Sequence, residues 1–275
     1  MLRWICAIIL AIGIIIFGIT QTMSSTILSK EYVLKKLEQT DYYINTYSQV
    51  NSDFENYIYQ SGLNKKIFEN VVSKEDIKED TNIIISNIYD GKEKQIDLDK
   101  VRERLKNNIQ KIITEKNIWV KSQESIDKYV EIISVQYEDS ILHTNIENNL
   151  FTGIVKLHDL ANTAITISVS AIGITAVIIL ITRYKKFWQN MSIIGVSLVA
   201  SGIFYIFMQA YIKFRVDIKN IIILSEAISY TLKTIIFEIL HTITIFGVGM
   251  TVIGFVLILV GNIIRDKKHK QGKRK

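Results

Sequence analysis

The chain has 275 residues, a net charge of +6, 48% hydrophobic residues, one cysteine and no proline. A single cysteine excludes a disulfide framework and a metal knuckle built from several cysteines. The positive charge lies outside the centre of the chain, because residues 24–159 are net acidic and the remaining segments are strongly basic. Nucleic-acid binding needs a basic patch on a folded domain, so this distribution argues against a nucleic-acid partner.

Four apolar segments are long enough to cross a membrane, since a helix needs about 20 apolar residues to span a hydrocarbon core of ~30 Å. They cover residues 4–23, 160–181, 191–212 and 236–264. None of them has Lys or Arg in its interior, where insertion of either residue is costly. The sequence therefore predicts an all-α membrane protein with four transmembrane helices.

The first apolar segment allows two interpretations. Its length is at the upper edge for the apolar core of a signal peptide, and no clear small-x-small cleavage motif follows it. We expect an uncleaved anchor over residues 1–23, with Cys6 as a small apolar residue in lipid. Cleavage would leave three spans without changing the side on which the next domain lies.

Cationic residues in the short connecting segments predict the orientation of the spans. The cations lie in the hairpin between the second and third spans and in the basic tail, residues 265–275. The residues that set the topology are Arg183, Lys185, Lys186, Arg265, Lys267 and Lys268. We expect both segments and both termini in the cytoplasm and residues 24–159 outside it. The loop 213–235 is also predicted outside, although it carries several cations.

Residues 24–159 have the pattern of helices joined by short turns. Ser29 and Ser73 are predicted N-caps, with Asp76 completing a capping box after Ser73, and Gly62 and Gly91 are predicted left-handed helix ends. Further helices are predicted from Thr40 or Asp41, from 64 to 72, from Asp97 or Asp99, and from 122 to 146. The sequence thus predicts an extracytoplasmic helical bundle over 24–159, followed by a three-span bundle over 160–264.

No nucleophile elbow, phosphate loop or dinucleotide fingerprint occurs in the sequence. The strongest candidate for a catalytic or metal site is the pair Glu238 and His241, which share one helix face near the outer end of the fourth span. Ionisable residues at membrane depth often mark function, and a Glu-x-x-His pair is half of a carboxylate–histidine metal site. A position at the lipid headgroups explains the pair without any site. No catalytic residue and no cofactor are predicted.

Three further patterns concern the spans. The hydroxyl residues of the second span are predicted to form one face, which lines a polar path or makes interhelical hydrogen bonds. They are Thr163, Thr166, Ser168, Ser170 and Thr175. Glycines in the third and fourth spans predict close helix packing. The amphipathic stretch 217–234 either rests on the membrane surface or extends the fourth span.

The order of anchor, polar helical domain and three-span bundle resembles uncharacterised multi-span membrane proteins of low-GC Gram-positive bacteria. The resemblance is carried by residues 28–32 after the anchor, by the Ser73–Gly91 helix and by the cationic hairpin 183–188. It implies a bacterial plasma-membrane location. It implies no activity and assigns no functional residue.

The leading functional hypothesis is a non-enzymatic envelope protein that interacts or senses through its external domain. Its partners are the lipid bilayer and either another envelope protein or a cell-wall component. The alternative is a transport or channel component formed by the spans. A second alternative is a membrane enzyme that uses Glu238 and His241.

Overall fold

The computed structural model describes residues 2–61, 64–91, 96–117, 119, 122–141, 144–182, 187–220 and 226–272. Throughout these residues the regular structure is helical, with nine α-helices, short 3-10 turns and no strand. The α-helices are α1 (Leu2–Ser24), α2 (Lys30–Gln39), α3 (Tyr42–Ser61), α4 (Lys74–Asp90), α5 (Asp99–Lys116), α6 (Gln123–Ile141), α7 (Thr144–Thr182), α8 (Phe187–Arg215) and α9 (Glu226–Gly272). The all-α prediction is confirmed.

The chain divides into two compact units. The first, here called the apolar unit, comprises Met1–Leu28, Leu157–Ile221 and Lys233–Lys275, and the second, the polar unit, comprises Ser29–Lys156 and Ile222–Leu232. Four helices are long and apolar enough to cross a membrane. They cover Trp4–Ser24, Gly153–Thr182, Phe187–Arg215 and Glu226–Lys268. The prediction of four span-forming helices is therefore confirmed by length and composition.

The predicted helix caps form as local chemistry dictates. Ser29 Oγ accepts from the Tyr32 amide, and Ser73 and Asp76 make the reciprocal bonds of a full capping box. The box is closed by Ser73 N–H donating to Asp76 Oδ2 over 2.8 Å. Gly91 ends α4 in the left-handed conformation, with φ 67°. These ends are confirmed, whereas Gly62 lies outside the described residues.

Several helix bounds differ from the predicted ones. The helix expected over 64–72 is only a 3-10 turn at Lys65–Phe68, and Asn70 follows it with a positive φ of 57°. Helix α7 starts at Thr144, well before the apolar run, because a polar stretch can continue a helix without a hydropathy signal. Of the stretch 217–234, predicted either to lie on the membrane or to extend the fourth span, residues 226–234 are the start of α9, which favours the extension for that part, whereas Ile218–Asn220 form a separate 3-10 turn.

The polar unit has one continuous core, built from apolar side chains of α2 to α6. Phe54 and Phe68 stack within it at a ring-centroid distance of 5.1 Å. The start of α9 completes this core, because Ala227 is buried in it and Ile228 packs against it. Neither alternative predicted for 217–234 included packing against α2 to α6, because the local pattern of these residues does not indicate a partner so distant in sequence.

Helix α5 is tied to its two neighbours by ion pairs. Its cations occur at every second residue and contact the two neighbours in turn, so that cations one turn apart face the same neighbour. The pairs to α6 are Arg102–Glu131 and Lys106–Asp127, and those to α4 are Lys100–Glu79 and Arg104–Asp76. Except for Asp76, which is mostly buried, these side chains are substantially exposed, so the other three pairs contribute little to stability.

Helix α1 packs in parallel along α8 in the apolar unit. Ser197 Oγ donates to the backbone oxygen of Ala7 over 2.9 Å, and Tyr205 OH donates to that of Ile14 over 2.7 Å. Residue numbers rise together along both helices, which makes them parallel. Tyr205 is fully buried, so α1 is held by hydrogen bonds from inside the bundle as well as by packing.

Helices α8 and α9 meet along a seam of glycines, here called the glycine seam. A Cβ built on Gly202 would lie 2.5 Å from the backbone oxygen of Gly247, and one on Gly195 would lie 2.7 Å from that of Gly254. Residue numbers rise on one helix as they fall on the other, so the pair is antiparallel. The predicted close packing is confirmed here, with backbones closer than any side chain permits.

Candidate functional site

Glu238 and His241 both lie on α9, one turn apart. Glu238 is half-buried and already engaged in a polar interaction, whereas His241 is exposed. Across the described part of the chain, no three His, Cys, Asp or Glu side chains come close enough together to hold a metal ion. Glu238 and His241 are therefore two potential metal ligands that differ in exposure, and within the described residues no third ligand accompanies them.

The hydroxyl residues of the second span do not form one face, and that prediction is wrong. Ser168 and Thr175 are buried, at 2% and 5% exposure, whereas Thr166 and Ser170 are exposed on another side of α7. Thr166 Oγ1 donates to the backbone oxygen of Asn162 and Ser170 Oγ to that of Thr166. Because the hydroxyls of Thr166 and Ser170 donate to backbone oxygens of their own helix, these donors are satisfied without water in a polar path.

The topology-setting cations fall into two groups. Arg183, Lys185 and Lys186 lie outside the described residues. The others, Arg265, Lys267 and Lys268, are exposed on the last turns of α9.

Lys268 packs on an aromatic ring at the start of α8. Its Nζ lies 4.8 Å from the centroid of the Trp188 ring. Gly261, two turns before Lys268, would bring a Cβ to 2.8 Å from the backbone oxygen of Trp188. The glycine seam therefore ends in a cation–π contact at this end of the apolar unit. The residues Trp188, Arg265, Lys267 and Lys268 are here called the basic end.

Aromatic side chains are exposed at both ends of α8. Phe187 is 55% exposed at its start, and Phe207, Tyr211 and Phe214 are 64% to 87% exposed along its last turns. Trp4, at the start of the parallel helix α1, is 64% exposed. The exposed amphipathic rings of Trp4 and Tyr211, near opposite ends of the parallel pair α1–α8, are typical of the two lipid–water interfaces of a membrane.

A polar cleft of ≈270 Å³ opens between α3 and α6 in the polar unit. It is lined by Asp53, Asn56, Tyr57 and Gln136. The lining residues of α3 follow helical spacing, so Asp53, Asn56 and Tyr57 share one face of that helix. A cleft of this size is slightly smaller than a typical ligand pocket, so it accommodates a small group or part of a larger ligand.

Hydrogen bonds across the cleft hold its walls together. Tyr57 OH donates to Gln136 Oε1 over 2.9 Å. Ser140 Oγ lies 3.2 Å from Asp53 Oδ2 and 2.8 Å from the backbone oxygen of Gln136, so its single proton serves either acceptor. The carboxylate of Asp53 therefore retains acceptor capacity, and none of the four lining residues is a cation. The cleft suits a ligand rich in hydroxyl or ammonium donors.

Two aspartates on α4 have opposite electrostatic environments. Burial acts to raise the pKa of Asp76, but hydrogen bonds from Arg104 and Ser73 and the charge of Arg104 outweigh it, and the pKa is lowered. Burial raises the pKa of Asp80, which accepts from Tyr137 OH over 2.6 Å, and the charges of Asp76 and Glu79 raise it further. Asp80 is therefore a poorly solvated acid, whereas Asp76 is a stabilised anion.

Neither the cleft nor the Asp80–Tyr137 bond was found by sequence reasoning. Tyr57 and Gln136 are 79 residues apart and Asp80 and Tyr137 are 57 apart, and neither pair matches a motif. The only local signal was an Asp at 80 on the otherwise apolar face that carries Ile77 and Ile84. A carboxylate on a core-facing stripe indicates a buried partner.

Comparison with known proteins adds no relative from which this site can be interpreted. No protein-family model matches the chain, and neither a curated protein nor a solved structure matches it. The resemblance to bacterial multi-span proteins therefore stays an expectation.

Proposed function

We propose that the chain is a non-enzymatic, multi-pass protein of the cell membrane whose polar unit lies outside the cytoplasm and binds another envelope protein or a cell-wall component. The four apolar helices support a membrane location. The observation that carries the binding proposal is the cleft between α3 and α6, which offers uncommitted polar groups on a domain with its own core.

The proposed orientation is supported by the arrangement of the apolar unit. The parallel pair α1–α8 and the antiparallel pair α8–α9 bring the starts of α1 and α8 and the end of α9 to one end of that unit. The cations of the basic end lie there, and cationic connections favour the cytoplasmic side. Both termini are then cytoplasmic.

We also propose that α1 is retained as an anchor. Cys6, Leu10 and Ile14 are buried against the apolar unit, and α8 donates hydrogen bonds to the α1 backbone. Removal of α1 would leave the hydroxyls of Tyr205 and Ser197 without these acceptors. Intact-mass measurement of the purified protein tests this, because cleavage would remove the mass of the whole helix.

The polar groups that line the cleft limit the kinds of ligand that it can bind. Asp53 and the exposed amide of Asn56 offer acceptors and donors, and no lining residue is a cation. Such a polar lining fits a ligand with hydroxyl, amide or ammonium donors, such as a glycan or peptide segment of the cell wall or the surface of another envelope protein.

Site-specific photo-crosslinking in intact cells tests the binding proposal. A photoreactive residue at Asn56 is expected to give a covalent adduct, and the same residue at Asn107, which is also exposed but on α5, is the matched control. Asp53→Asn keeps an acceptor for Ser140 while removing the charge, so it is expected to reduce the adduct several-fold. Equal adducts at both positions, or an adduct unaffected by Asp53→Asn, would contradict the proposal.

A second candidate function is transport by an oligomer of the apolar units. One observation favours it: Asn162, Thr166 and Ser170 form a polar row on the exposed side of α7. A pore lined by this row needs several copies of the chain. Solute flux in liposomes that disappears in a Thr166→Val, Ser170→Ala variant would support this function, and the absence of flux at every assembly state would exclude it.

A further inference from the structure

The end of the glycine seam carries a concentration of positive charge beside an aromatic ring. Arg265 and Lys268 are one turn apart on the face of α9 that also carries Gly261, and Lys267 is adjacent to them. The only acid in this stretch is Asp266, whose Oδ1 accepts from Arg265 Nε over 3.2 Å. That contact uses one of the five guanidinium donors, so the basic end keeps a net positive charge.

The ring at the basic end is fixed by packing and by Lys268. Trp188 lies at the start of α8, and its Nε1 is shielded from solvent and has no hydrogen-bond partner within the described residues. The ammonium of Lys268 lies over the ring face. Both residues belong to helices long enough to span a membrane, at the ends where headgroups begin.

We propose that the basic end is a binding site for the phosphate headgroup of an anionic phospholipid, with Arg265, Lys267 and Lys268 as its cations and Trp188 as its wall. The charge is complementary, and the position at the ends of two apolar helices selects a lipid over a soluble anion. Each cation near an anionic membrane surface strengthens association by roughly fivefold. The site requires only that the apolar unit spans a membrane, and it is independent of the ligand of the polar unit.

The proposal is tested in the full chain with Trp188 as the only tryptophan. Trp4→Phe and Trp119→Phe remove the other two, which are 64% and 83% exposed and therefore contribute little packing. The protein is reconstituted in phosphatidylcholine with brominated acyl chains, which quench tryptophan on contact. Unbrominated phosphatidylglycerol or phosphatidylcholine is then added, and recovery of emission reports which lipid replaces the quencher at Trp188.

Phosphatidylglycerol is expected to restore emission at a fraction lower than that needed for phosphatidylcholine by roughly fivefold or more, which is the effect of at least one cation. In an Arg265→Gln, Lys267→Gln, Lys268→Gln variant the two lipids should become equivalent, and 1 M salt should weaken the preference of the parent protein through screening. A Lys213→Gln, Arg215→Gln variant, altered at the opposite end of α8, is the matched control and should keep the preference. Unchanged helicity and size of each variant in detergent establish that folding is intact.

Three outcomes would overturn the proposal. The first is equal recovery by both lipids in the parent protein, or a preference that survives the triple substitution. The second is recovery produced equally by soluble glycerol phosphate, which would make the basic end a general anion site. The third is a loss of the preference in the control variant as well, which would mean that the preference comes from the overall charge of the protein.

Discussion

Single residues of the polar unit show how one helix can carry two acids with opposite effects on stability. Asp76 is held ionised by Arg104 and by its capping bonds, and Asp80 is buried against Tyr137. The cap could be predicted from sequence, because Ser73 and Asp76 interact within one turn. The environment of Asp80 could not, because Tyr137 comes from a different helix.

Asp80→Asn is expected to stabilise the protein at neutral pH. Because the folded-state pKa of Asp80 is raised, the wild type loses stability as pH rises from the unfolded pKa to the folded one, and Asn removes that loss while still accepting from Tyr137. The gain should disappear in acid, where Asp80 is protonated in both states. Thermal unfolding of the full chain in detergent, followed by tyrosine near-UV circular dichroism across pH, measures it.

Asp76→Asn is expected to have the opposite effect. The lowered pKa means that Asp76 contributes stability above its unfolded pKa, and this contribution is lost as pH falls through the folded value. The substitution should cost about 1–2 kcal/mol at neutral pH, through the weakened capping box and the lost charge on the Arg104 bond. The same thermal series checks it, and a deficit that persists undiminished in acid would contradict the assigned role.

The helices themselves were largely predictable, but their register against each other was not. Long apolar runs and local caps define where most helices form. The presence of glycines in the third and fourth spans predicted close packing, but not which glycines meet. Those that form the interface have a spacing of seven residues, at Gly195 and Gly202 on α8 and at Gly247, Gly254 and Gly261 on α9. A glycine series on one helix forms a close interface only where the partner helix presents its own glycines at the same height. The match between α8 and α9 depends on their antiparallel alignment, which neither helix shows by itself.

Gly202→Ala tests the glycine seam. The new methyl group would lie 2.5 Å from the backbone oxygen of Gly247 and 2.8 Å from the amide nitrogen of Thr251, so α8 and α9 must separate. Overpacking of this kind costs about 1–3 kcal/mol. Gly249→Ala is the matched control, because nothing lies within 4 Å of its added methyl group, and it should be neutral or slightly stabilising. Unfolding of both variants in mixed detergent micelles compares them.

At the scale of the whole molecule, the orientation can be tested with one introduced cysteine at a time. Cys6 is the only native cysteine and is buried, so Cys6→Ala gives a clean background. Glu103→Cys on the exposed side of α5 should react with a membrane-impermeant maleimide in intact cells. Lys267→Cys should react only after permeabilisation. The reverse pattern would place the polar unit in the cytoplasm and remove the basis of its proposed partners.

Because the start of α9 belongs to the core of the polar unit, this unit cannot complete its folding until late in synthesis. Thr40 and Thr231 join their hydroxyls at 2.7 Å, both buried, and Ala227 fills a place in the same core. Synthesis proceeds from the N-terminus, so α2 to α6 emerge long before the residues that close their packing. A nascent chain that stops at residue 220 has already produced three apolar helices and still lacks the last piece of its polar unit. Such a chain should be cut by proteases near Thr40, and protection should arrive only after residue 232 has been added.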